Sequence, residues 1–195
     1  MNLDISILYF LYSFAGINSF IDGVIVFRAE YLPYLVGFLV AVFPLSAVFK
    51  KYRPFLRKNI EMLIFSFGSA LVSRFLLGEF IRFFYNRPRP FAVLSNIHPL
   101  VSHESGYSFP SGHALFFFAL AAGIAYYYPR TSILFFLAAF SIGMARVSAG
   151  IHWPSDILAG YVVGVSIGIV VHLVLTMLLK RFGFITNRNE SGTRH

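Results

Sequence analysis

The chain has no cysteine, which excludes disulfides and thiolate metal sites while leaving the compartment open. Charge is also scarce. Only 12% of the 195 residues are Asp, Glu, Lys or Arg, against about 25% in a soluble domain. With 57% hydrophobic residues and a mean hydropathy of +0.72, such a chain cannot cover a water-facing surface with polar groups. A bilayer removes that demand, because apolar side chains then face lipid. No internal repeat, low-complexity tract or interdomain linker is present, and the length suits one domain over 1–195. Asp4 stands where a cleavable signal would carry basic residues, and the apolar stretch behind it continues, so no signal peptide is expected. The net charge is +8. A nucleic-acid binder carries its basic residues on a water-exposed face. Here they lie in short loops beside apolar runs, so nucleic acid is not an expected partner.

A spanning helix needs about 20 mostly apolar residues. Residues 31–49, 62–84, 114–128 and 157–179 qualify, and 133–147, bounded by Pro129 and Gly150, supplies a shorter fifth span. Residues 1–28 are apolar but interrupted by Asp4, Gly16, Asn18, Asp22 and Gly23. They are expected to form interfacial helices, with a sixth span as the alternative. The fold class is therefore an all-α integral membrane protein, with five transmembrane helices plus N-terminal interfacial helices, or six transmembrane helices. Five spans place Lys50, Lys51, Arg53, Arg57, Lys58, Arg130 and the tail over 181–195 on one side, which the positive-inside rule makes cytoplasmic. The same count brings 82–113, Arg146 and 152–156 together on the extracytoplasmic side.

Three stretches on that side carry chemistry. In Ser108-Phe109-Pro110-Ser111-Gly112-His113, Ser111 suits a helix N-cap and Gly112 allows close approach to the backbone. Free amides at a helix start form an anion site, with His113 in the first turn; an ordinary cap with an incidental histidine is the plainer reading. In Arg146-Val-Ser-Ala-Gly-Ile-His152-Trp-Pro-Ser-Asp156, Pro154 suits a first helical turn. A carboxylate four residues beyond His152 can accept one ring N–H and leave the other nitrogen free to attack. The plainer reading makes Asp156 a partner of the helix dipole. In Arg82-Phe-Phe-Tyr-Asn-Arg87-Pro-Arg89-Pro90, three guanidinium groups on the extracytoplasmic side call for an anionic partner, and arginine's planar fork suits phosphate. Snorkelling is the alternative, chiefly for Arg87.

Together these stretches resemble the phosphatidic acid phosphatase type 2 superfamily, which also contains the vanadium haloperoxidases. Its signature is Lys, six residues, Arg-Pro; then Pro-Ser-Gly-His; then Ser-Arg, five residues, His, three residues, Asp. The chain reads Arg82, six residues, Arg89-Pro90; Pro110-Ser111-Gly112-His113; and Ala145-Arg146, five residues, His152, three residues, Asp156. Arg82 replaces the lysine and Ala145 the serine. The resemblance covers about residues 60–180, the catalytic core.

It implies that His152 attacks phosphorus and becomes a phosphohistidine, that Asp156 orients His152, and that His113 is the general acid and later activates water. Arg82, Arg89, Arg146, Ser111 and Gly112 would form the phosphate cradle. No carboxylate cluster suits Mg²⁺, so neither metal nor cofactor is expected. Arg87, His103 and Glu104 are candidate substrate contacts, although loop solvation also explains the last two.

Arg74 and Glu79 lie within a span, where charge is costly, and are expected to pair with each other or with Asp4 or Asp22. His172 reads as a packed residue. The expected function is hydrolysis of a lipid (pyro)phosphate within the membrane. The short length and the segment from Asn18 to Asp22 resemble small bacterial undecaprenyl-diphosphate phosphatases, which makes undecaprenyl diphosphate the expected substrate and the bacterial plasma membrane the location. The alternatives are a phosphatidylglycerophosphate or phosphatidic acid phosphatase, and a non-catalytic transporter or scaffold.

Overall fold

Proline, glycine and side-chain caps set the helix boundaries. The computed structural model describes residues 3–102 and 106–181, and among them the regular structure is entirely helical. Helix α1 covers Leu3–Tyr12. The Asn18 side chain then accepts the Ile21 N–H at 2.9 Å and starts α2, which runs over Ser19–Ser46. This span begins at Ser19 rather than at 31, so it takes in part of the segment read as interfacial. Asp22 does not break it, for a physical reason. It sits in the first turn, where a carboxylate is favourable, and its Oδ1 accepts the Gly16 N–H at 2.8 Å.

Helix α3 covers Lys50–Phe84, α5 Pro129–Ser148 and α6 Pro154–Arg181. Pro129 and Pro154 occupy first-turn positions, where the missing N–H costs nothing. With α2, these are four helices long and apolar enough to cross a bilayer. Between α3 and α5 lies α4, Gly112–Tyr127, the remaining span. It is shorter, and it forms the centre of the bundle. Leu115, Phe118, Ala119, Leu120, Ala122 and Ile124 are buried around its whole circumference, as expected of a helix that is apolar on every side. The outer helices instead present large side chains such as Phe38, Phe83, Leu134 and Leu158 to the surroundings, the pattern of a lipid-facing surface.

Packing of α6 on α4 depends on a glycine at every fourth position. A Cβ on Gly160 would lie 2.5 Å from the Ala114 Cβ, on Gly164 2.7 Å from the Leu115 carbonyl oxygen, and on Gly168 2.6 Å from the Ala122 Cβ. Such small-residue seams let membrane helices approach closely. This one sets the start of α6 against the start of α4, and there the Ser111 N–H donates to the Asp156 carbonyl at 3.1 Å. Two helices are locally widened into π-turns, Phe27–Tyr31 in α2 and Val72–Leu77 in α3.

Candidate active site

The end of α5 and the start of α6 are joined by a tight turn that fixes two of the sequence-predicted residues. Gly150 has φ +75°. The Ile151 N–H reaches the Arg146 carbonyl at 3.2 Å and the Gly150 N–H the Val147 carbonyl at 2.9 Å, a Schellman motif. Arg146 is thus held in the last turn of α5, and its Nη1 donates to the Ala29 carbonyl, in the π-turn of α2, at 3.2 Å. His152 follows two residues after the glycine.

His152 is 2% exposed and Asp156 fully buried. The His152 Nδ1 lies 3.2 Å from Asp156 Oδ2, and its Nε2 lies 3.3 Å from Arg89 Nη1. These two contacts specify one tautomer. The carboxylate accepts a hydrogen bond from Nδ1–H, and a guanidinium, which has only donors, faces the Nε2 lone pair. Asp156 is held in turn by the Trp153 N–H at 2.9 Å and by Arg87 Nη1 at 2.8 Å on its other oxygen. Arg89 also donates to the Ile151 and Tyr107 carbonyls at 2.9 and 3.3 Å. Burial pulls the Arg89 pKa below its ordinary value; Asp156 opposes that shift, whereas Arg82 and Arg74 reinforce it.

Ser111 stands at the N-cap of α4, but its hydroxyl makes no cap bond. Its buried Oγ and Arg89 Nε have no hydrogen-bond partner among the described residues, which leaves donors for an incoming anion. Arg82 donates to the Pro110 carbonyl at 2.8 Å and to Glu79 at 2.6 Å. His113 borders a cavity of about 580 Å³ between α2, α3 and α4, apolar except where Arg74, Gly112 and His113 meet. A nucleophilic nitrogen, an oriented carboxylate, a second imidazole and several guanidinium groups together suit in-line phosphoryl transfer. Among the described residues no group of three or more His, Cys, Asp or Glu is placed to hold a metal.

Arg87 is placed differently from the other arginines. Its guanidinium lies over Trp153 and donates to Asp4 at 2.5 Å, Ser155 at 2.6 Å and Asp156 at 2.8 Å. Asp4 also accepts the Ser155 N–H at 2.9 Å and hydroxyl at 2.7 Å, so α1 caps the first turn of α6. Sequence reasoning missed this clasp. An acidic side chain at the start of an otherwise apolar helix was its available signal. Arg74 and Glu79 pair at 2.6 Å, as expected from their shared span. His103 and Glu104 lie outside the described residues.

The PAP2 superfamily model matches residues 63–180. The chain is 31% identical to the bacitracin transport permease protein BcrC of Bacillus licheniformis over 75% of its own length and 68% of that protein. It is 31% identical to undecaprenyl-diphosphatase BcrC of Bacillus subtilis over 77% and 73%. Its fold is similar to the crystal structure of Aquifex aeolicus LpxE, with a TM-score of 0.66 and 24% identity, covering 88% of this chain and 95% of the other.

Proposed function

The chain belongs to the PAP2 superfamily, and on that premise we propose that this membrane-embedded phosphatase acts on undecaprenyl diphosphate at the extracytoplasmic face of a bacterial plasma membrane. The carrying observation is the buried line Asp156–His152–Arg89, which presents the Nε2 lone pair beside a phosphate-binding guanidinium.

His152 Nε2 attacks the terminal phosphorus, and the bond from that phosphorus to the bridging oxygen breaks. His113 gives the bridging oxygen its proton, and undecaprenyl phosphate leaves. The phosphohistidine carries positive charge on the ring, which Asp156 offsets through Nδ1. In the second step His113 takes a proton from water, the water oxygen attacks phosphorus, the P–N bond breaks, and inorganic phosphate departs. Arg82, Arg89 and Arg146 supply positive charge to the equatorial oxygens, with Ser111 and the Gly112 amide as further donors. Helix α1 lies at the membrane interface above the nucleophile. The cavity between α2, α3 and α4 takes the part of the isoprenoid chain next to the phosphates, since its polar end is the His113 end.

A diphosphatase name on one relative supports the substrate. The permease name on another matches the non-catalytic alternative, against which stands the assembled His152–Asp156 pair. The test is phosphate release by purified protein in detergent micelles from undecaprenyl diphosphate, phosphatidylglycerophosphate and phosphatidic acid. The highest kcat/KM is expected for the diphosphate. A preference for either glycerolipid replaces the substrate but keeps the phosphatase, whereas turnover of none of the three removes the catalytic reading.

A further inference from the structure

Arg87, the candidate substrate contact, already has two carboxylate partners. Another arginine occupies the position that role needs. Arg74 lies in the π-turn Val72–Leu77, an irregularity often found at functional sites. It rests against the backbone of Gly112. A Cβ added there would lie 2.7 Å from Arg74 Cδ and 2.8 Å from Cζ, and closer still to Nε, so Arg74 has this place only because residue 112 is glycine. The same guanidinium lines the polar end of the cavity beside His113. One oxygen of Glu79 accepts from both Arg74 Nη1 and Arg82 Nη1, each at 2.6 Å. That single acceptor between two planar forks is the geometry a phosphate oxygen takes up, and the Glu79 side chain is 55% exposed. Arg82 Nε is buried with no partner among the described residues.

We propose that Arg74, with Arg82 shared from the cradle of the terminal phosphate, forms a second anion subsite that takes the lipid-side phosphate of a diphosphate. This rests on the lipid phosphatase reading above and makes Arg74 a specificity residue within it. The order of parts follows from the layout. The terminal phosphate lies at His152 and Arg89. The bridging oxygen faces His113. The second phosphate lies at Arg74, where the cavity for the chain opens. Without ligand, Glu79 occupies the point between the two guanidinium groups and offsets their repulsion; the lipid-side phosphate displaces it there.

The test compares a polyprenyl diphosphate with the monophosphate of the same chain, using full-length protein in detergent. Arg74→Gln is expected to lower the ratio of kcat/KM for diphosphate over monophosphate by about tenfold, the worth of one charge-assisted contact. Arg74→Lys keeps the charge without the fork and should recover part of that ratio. Methylenediphosphonate, which resists hydrolysis, provides a binding readout on wild type and on Glu79→Gln. Its inhibition constant is expected to fall in Glu79→Gln by a larger factor than that of inorganic phosphate, because a competing carboxylate is gone. Equal loss on both lipids in Arg74→Gln, an unchanged ratio, or equal shifts for the two inhibitors overturns the subsite while leaving the phosphatase intact. Failure of wild type to hydrolyse either lipid instead overturns the reading beneath it.

Discussion

Asp4 closes onto Arg87 at 2.5 Å, and through that guanidinium onto Asp156. A residue of the N-terminal helix is thereby linked to the carboxylate behind the nucleophile. Asp4 also holds the first turn of α6 through Ser155. Burial pushes the Asp4 pKa up, but the hydrogen bonds from Ser155 and Arg87 outweigh it, and the net shift is below the ordinary 3.8. A carboxyl whose folded pKa is depressed stabilises the fold above its unfolded pKa and loses that contribution as the pH falls through the folded value. Asp4→Asn is therefore expected to cost about 1–3 kcal/mol at neutral pH. The gap between wild-type and variant melting temperatures should hold above about pH 5 and narrow below 3.8. Thermal unfolding in detergent across pH 3–7 checks this; a gap independent of pH removes Asp4's charge from the account.

His152→Ala should reduce turnover by about 10⁴-fold or more, because the residual rate then rests on binding and charge stabilisation alone. Asp156→Asn keeps the shape but alters the hydrogen bond that sets the tautomer, and a loss of about 10²–10⁴-fold is expected. Rapid acid-free quenching with labelled substrate should trap a phosphoenzyme that is acid-labile and missing in His152→Ala. Activity should persist in EDTA, and vanadate should inhibit. Loss on chelation that Mg²⁺ restores would contradict charge stabilisation by arginine.

Substitutions in the small-residue seam should affect the active site from a distance. A Cβ on Gly164 would meet backbone atoms, Leu115 O at 2.7 Å and Ala119 N at 3.2 Å, which cannot rotate away. Gly164→Val is expected to push α6 off α4 at a cost of roughly 1–3 kcal/mol, and to lower kcat as well, because His113 and His152 belong to different sides of that seam. Melting temperature and initial rate, measured on one sample, report the two effects. A rate loss without destabilisation would point to something other than helix separation.

The direction of insertion is testable because the chain has no cysteine. On intact cells an impermeant thiol reagent should label Ser95→Cys, near the active-site end, and spare Lys51→Cys, which lies in the basic loop. The reverse pattern inverts the proposed face.

The sequence made the local parts of the site readable. His152 and Asp156 are four residues apart in sequence, and hydropathy with loop charge brings the remaining groups to the same side without any motif. The clasp from Asp4 to Ser155 was only half readable: an acid in an apolar helix signals a partner, but the two residues are separated by 151 positions and no local pattern names Ser155. The start of α2 was missed because Asp22 and Gly23 read as interruptions, whereas the helix dipole and the Gly16 amide accommodate Asp22. The contact of Arg74 with Gly112 depends on a π-turn in α3 that rotates the helix face, and composition does not encode that rotation. Ser111 was placed correctly at the helix start, yet its hydroxyl does not cap.

The shortness of α4 sets the depth of the chemistry. Its 16 residues extend about 24 Å, against a hydrocarbon layer of roughly 30 Å. Its far end, where Tyr128 lies beneath the Lys58 ammonium, belongs at the basic interface. Its near end, with His113, then stops about 6 Å short of the opposite interface. For the proposed lipid diphosphate, the phosphates would then sink toward the protein, or the bilayer would thin to meet it, with the lipid chain left among its neighbours. On the proposed substrate, hydrolysis would then need no isoprenoid lifted into water, which would cost about 0.8 kcal/mol for every methylene drawn out.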